Sequence, residues 1–171
     1  NLQTLEAWDL AYDSEKLQQA RYDFSDQEIK LYFSEDRVLA GMFGLVEKMY
    51  GIHISQVFEA RQVERWNPDV KFFDIHDSSG QLIGQFYLDL YARSSKRGGA
   101  WMDEAIVRRR IDNKETGKDD IQIPVAYLTC NFSAPIKVDG QLRQALFTHN
   151  EVIVLFHEFG HGLHHLLTKV E

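Results

Sequence analysis

Residues 148–170, THNEVIVLFHEFGHGLHHLLTKV, constrain this chain more than any other stretch. Thr148, with Glu151 three residues on, has the form of a capping box, which marks a helix start. Val152, Leu155, Phe156, Phe159, Leu163, Leu166, Leu167 and Val170 recur at helical spacing, which predicts one buried face. Inside that helix stands His157-Glu158-Phe159-Gly160-His161, an H-E-x-x-H. Residues four apart lie about 6 Å apart along a helix axis and about 40° apart around it. The imidazoles of His157 and His161 therefore stand side by side. Two neutral imidazoles so placed can hold one Zn²⁺, with Glu158 placed to act on a metal-bound water.

Three fixed residues also match ordinary surface helices. The surroundings favour the metal reading. Glu158 lies among apolar residues, and burying a lone carboxylate costs on the order of several kcal/mol, so it needs a partner or a task. Gly160 costs roughly 1 kcal/mol of helix propensity against Ala, which predicts a close packing contact there. The competing reading, a helical interaction module with core histidines, leaves Glu158 unexplained.

The rest of the chain divides in two. Residues 1–51 read as helical: an amphipathic helix with Trp8, Tyr12 and Leu17, a short helix opened by a Ser25/Glu28 capping box, and a third helix from Glu35 to Tyr50 stopped by Gly51. Residues 52–147 read as sheet and loops. Residues 61–66 and 70–77 look extended, Asp77-Ser78-Ser79-Gly80 is turn chemistry, and residues 82–91 alternate as a hairpin strand. Lys96-Arg97-Gly98-Gly99-Ala100-Trp101 lacks the G-K-[ST] of a phosphate loop and reads as a bend where backbone comes close to something. Residues 112–120 read as an exposed loop, residues 124–132 as a strand with Cys130 on its apolar side, and Asp139-Gly140 as a tight turn. The fold class expected is α+β: mainly helical, with a small antiparallel sheet and a long H-E-x-x-H helix at 148–170.

A length of 171 residues suffices for one domain with a real core. A net charge of -7 argues against nucleic acid or an anionic membrane as partner. The apolar run at 152–156 is far too short to span a bilayer. The lone Cys130 and the lack of a basic-then-apolar leader fit a reducing compartment. The chain opens at Asn1 and stops at Glu171, directly after the key helix, so it reads as a segment of a longer protein.

Catalytic zinc takes three protein ligands and a water. His157 and His161 are two. His164 and His165 extend the same helix, but their Cα atoms fall roughly 10–12 Å from that of His157, a strained reach for one ion. His164 is thus a secondary candidate and His165 a supporting or surface residue. Glu171 lies too far along, so the third ligand is expected on a following helix outside these residues. Zinc lowers the pKa of its water toward about 7. Glu158 takes that proton and later delivers it to the leaving amine. If Ala126, Tyr127, Leu128 and Thr129 lie at a sheet edge beside the helix, their main chain can pair with an extended peptide without reading its side chains.

FHEFGHGLHH at 156–165 resembles the signature of the thimet-type oligopeptidases, the M3 metallopeptidases. WDLAYDSEKL from Trp8, NPDVKFFDI from Asn67, FYLDLYAR from Phe86, KRGGAW from Lys96 and PVAYLTCNF from Pro124 are similar to family segments in the same order. The resemblance implies a cytoplasmic zinc endopeptidase that cleaves short unfolded peptides, signal-peptide remnants among them. It also implies a mostly helical fold with a small sheet deep in a channel between two lobes. Carried over, His157 and His161 are ligands to a single zinc ion, Glu158 is the catalytic base, and His164 matches a family His sometimes counted as a ligand. Members run to several hundred residues. The downstream Glu ligand and the transition-state donors would lie in the remainder of the parent polypeptide, which leaves these 171 residues inactive by themselves.

Overall fold

In a computed structural model the described residues are 6, 9–22, 26–58, 63–113 and 118–170. Among these residues four helices, α1 (Asp9–Tyr22), α2 (Asp26–Lys30), α3 (Glu35–Tyr50) and α4 (His149–Leu167), accompany nine strands. The five-stranded sheet is built from β1 (His53–Gln56), β2 (Lys71–His76), β3 (Leu82–Tyr91), β4 (Trp101–Ile106) and β7 (Val125–Phe132). β5 (Arg109–Asn113) pairs with β6 (Lys118–Gln122), and β8 (Ile136–Val138) with β9 (Gln141–Arg143).

This corrects the expected fold class. Strand is about as abundant as helix, and the sheet is mixed, not small and antiparallel. Its order is β1-β2-β3-β7-β4, with β3 and β7 parallel and the other neighbours antiparallel. After β3 the chain leaves room beside that strand, lays down β4 and the β5–β6 hairpin, and returns to insert β7 between β3 and β4. Of residues 112–120, read as a loop, 112–113 and 118–120 instead belong to the facing ends of β5 and β6, and the rest lie outside the described residues. Val63 to Trp66 form no strand, and Arg61 lies outside the described residues, as do Trp8 and Ser25. Leu10, Tyr12 and Leu17 of α1 are exposed.

Side-chain alternation gives the sheet two faces. Phe73, Ile75, Phe86, Leu88, Ala126, Leu128 and Cys130 are buried in one core with α3 and α4. Phe43 of α3 meets Phe73, Phe86 and Phe159 with ring centroids 5.1, 6.1 and 5.6 Å away. The opposite face carries Phe72, Tyr87 and Tyr127, with Trp66 lying 5.1 and 5.5 Å from the two tyrosines. β8 and β9 join through Asp139 and Gly140, with φ of 52° and 79°. Two successive positive φ values are what a two-residue hairpin turn demands.

α3 ends at Gly51, whose φ of 66° and N–H to the Glu47 carbonyl form a left-handed cap. α4 begins at the capping box. The Glu151 N–H donates to Thr148 Oγ1 at 3.1 Å, and the Thr148 N–H donates to Glu151 Oε2 at 2.7 Å. Thr148→Ala should cost about 1 kcal/mol of stability and Thr148→Ser much less, because only the first removes the acceptor. Urea unfolding checks this; equal midpoints for all three proteins would show that the cap contributes nothing.

Candidate metal centre

α4 lies over β7, and what it buries differs in part from its apolar stripe. Leu155, Glu158, Phe159, Gly162, Leu163, His165 and Leu166 are buried, whereas Phe156 is exposed and Val170, beyond the helix, is 80% exposed. A Cβ built on Gly162 would stand 3.0 Å from Leu128 Cδ2, so the helix rests directly on β7 at that point. Gly160, expected to mark the close approach, has open space around it. The contact lies two residues further on.

His157 and His161 are both exposed, on the flank of the helix. Their Nε2 atoms converge to 3.1 Å, with ring centroids 4.7 Å apart and planes at 82°. Two nitrogens on one zinc, each at about 2.05 Å and at the tetrahedral angle, stand about 3.3 Å apart. The pair fits one ion with almost no adjustment. Exposure also removes the reading of these two as core histidines.

Glu158 is 9% exposed. Among the described residues no hydrogen bond or ion pair holds its carboxylate. Cys130 lies close enough to feel that charge. Burial first, and the Glu158 carboxylate second, push its thiol up to about 12. Cys130 is therefore an uncharged apolar filler beneath the helix.

The structure leaves His164 out of the pair. It is exposed, and among the described residues no three His, Cys, Asp or Glu side chains form a group able to hold one ion. Glu171 lies outside the described residues. His165, expected as a supporting or surface residue, is 8% exposed and bonded to β4. Its burial had no periodic signal, since the apolar pattern passes over position 165.

Ala126, Tyr127, Leu128 and Thr129 do not lie at an edge. β7 pairs with β3 on one side and β4 on the other across all four, so their main chain has no side left for a peptide. Among the described residues the edges of this sheet are β1 and β4. A cleft of about 1180 Å³ opens elsewhere, among Tyr50, Asp77, Ile83, Leu167 and Lys169 at the far end of α4. None of His157, Glu158 and His161 lines it.

The glycine-rich bend is held from two sides. Lys96 Nζ donates to Asp89 Oδ1 and to the Asp89 and Tyr91 carbonyls, each at 2.9 Å. Asn131 Nδ2 donates to the Arg97 and Gly99 carbonyls, each at 2.7 Å. Gly99 has φ of 98°, which a side chain would strain.

The chain matches the family model for peptidase family M3 over residues 1–171. It is 52% identical over 167 residues to oligopeptidase A of Escherichia coli (strain K12), across 98% of this chain and 23% of that protein. The organellar oligopeptidase A of Arabidopsis thaliana, chloroplastic/mitochondrial, is 42% identical over 163 residues, across 95% of this chain and 20% of that protein. The probable cytosolic oligopeptidase A of the same plant is 40% identical over 167 residues, across 97% and 23%. The chain thus spans less than a quarter of the length of these relatives.

Proposed function

The chain belongs to peptidase family M3, and on that premise we propose that its parent protein is a zinc metalloendopeptidase acting on short, unfolded peptides with broad specificity, signal-peptide fragments among them. The observation that carries the reading is the 3.1 Å convergence of His157 and His161 beside Glu158, a residue 9% exposed that no described group bonds. His157 and His161 would hold the ion through Nε2, and the remainder of the parent polypeptide would supply the third ligand. Bound zinc supplies Lewis-acid polarisation of a carbonyl and acidifies a water. Glu158 takes the proton of the attacking water and passes it to the leaving amine. Its freedom from any described partner suits a base that must change protonation state each turnover.

An extended peptide adding to this sheet on the α4 side has β4 as its free edge. Among the described residues no helix is long and apolar enough to cross a membrane. A cytoplasmic location belongs to the same proposal, and the relative named as cytosolic supports it. The test is metal analysis of the purified full-length protein together with hydrolysis of peptides of graded length. One zinc per chain and cleavage confined to short unfolded peptides is the expected result. A metal-free protein with full activity would end the reading.

A further inference from the structure

His165 follows His161 by four residues and Glu158 by seven, and it is the one histidine among the buried polar residues described. Its Nε2 lies 3.0 Å from the main-chain oxygen of Ile106, and its Nδ1 lies 3.3 Å from Glu104 Oε1. A carbonyl only accepts, so Nε2 carries a hydrogen and donates it. The acceptor sits at a break in the ladder, where the β4–β7 register shifts between Glu104 and Ile106. Such a bulge re-aims main-chain groups, and here the Ile106 carbonyl is engaged by α4.

Seven residues bring a helix back to within about 20° of the same direction, so Glu158 and His165 project from one face two turns apart. Gly162, between them, rests on Leu128 and sets how closely the helix approaches the sheet. Packing of Leu155, Phe159 and Leu166 selects the buried face of α4, but apolar contact is non-directional. A directional hydrogen bond sharpens the rotation within that face. We propose that His165 is a positioning residue: by donating to the bulged edge strand it fixes the rotation of α4, and with it the aim of Glu158 and the His157–His161 pair. A side-chain atom sits about 5–6 Å from the helix axis, so a 20° roll moves it by about 2 Å. Displacement of about 1 Å can cost a hundredfold in rate.

The inference rests on the peptidase reading and is tested in the full-length protein. In His165→Gln the amide nitrogen reaches the place of Nε2, and in His165→Leu the volume is kept without a donor. His165→Leu should lower kcat about 100-fold, with KM unchanged and zinc bound more weakly in competition with a chromophoric chelator. His165→Gln should restore both kcat and zinc affinity. Should His165→Leu fail to fold, His165→Asn carries the same expectation, because its shorter amide matches Nδ1 and not Nε2. Equal kcat in all variants, equal loss in Leu and Gln, or an effect on KM alone would overturn the proposal. A wild-type protein that cleaves no peptide would overturn the peptidase reading and take this proposal with it. Loss of the peptidase reading is thus told apart by the wild type, and loss of the positioning role by the variants.

Discussion

Glu158→Gln in the full-length protein should lower kcat for peptide hydrolysis about 10²–10⁴-fold, the range removed with a general base, while zinc content and KM stay near wild type. Glu158 shares the helix with His157 and His161 but does not share their direction: it is buried while they are exposed. A carboxylate so placed is not part of the converging pair, so its loss should not release the ion. Gln keeps the shape and one acceptor oxygen but cannot take a proton. Because no described group bonds the carboxylate, its replacement leaves no buried partner orphaned. A stability change is therefore not expected to mimic the loss of rate. If the variant lost zinc, Glu158 would be holding the metal centre together; if it kept full kcat, another group would be the base. Metal analysis and initial rates on one preparation separate the two.

The helices were legible because their signals are local. Thr148 with Glu151, and Gly51 after Tyr50, act within one turn, so the capping box and the left-handed cap stand where the residues put them. β3 and β7 were legible as strands for the same reason, since alternation is a property of neighbours. Their order was not. Whether Ala126 to Thr129 lies at an edge depends on what the intervening residues do, and the chain spends them on β4, which closes that side. β4 mixes Asp103 and Glu104 with apolar residues; both are exposed, the charged dress of an edge strand, and its alternation is broken by the bulge. The same bulge hid His165. Its acceptor is 59 residues away, and no periodicity reports that a carbonyl will be turned toward one helix face. The convergence of His157 and His161 was readable because i, i+4 spacing fixes it within the helix.

Asp89→Ala should destabilise the fold by about 3–5 kcal/mol at pH 7, the cost of breaking a buried ion pair from one side. Asp89 is 3% exposed and accepts four hydrogen bonds: from Arg93 Nη1 and Nη2 at 2.7 and 2.6 Å, Lys96 Nζ at 2.9 Å and Trp66 Nε1 at 3.0 Å. Removing it strands Lys96, whose side chain is 6% exposed, with two carbonyls and no anion. Lys96→Met in the Asp89→Ala background should recover much of the loss, since the buried charge goes with it. The pH dependence gives a second check. Burial pushes the Asp89 carboxyl up, but Arg93, Lys96 and Trp66 together hold it below the usual carboxylate range. A carboxyl lowered on folding contributes stability in full above its unfolded value, about 3.9, and loses it as pH falls through the folded value. The gap between wild type and Asp89→Ala should therefore narrow under acid. It should narrow again under alkali. Burial already holds Lys96 below its ordinary range despite Asp89, and without Asp89 the ammonium sheds its proton more easily. Urea unfolding of both variants across pH tests this; a loss below about 1 kcal/mol, the range of an exposed pair, would reduce Asp89 to a surface contact.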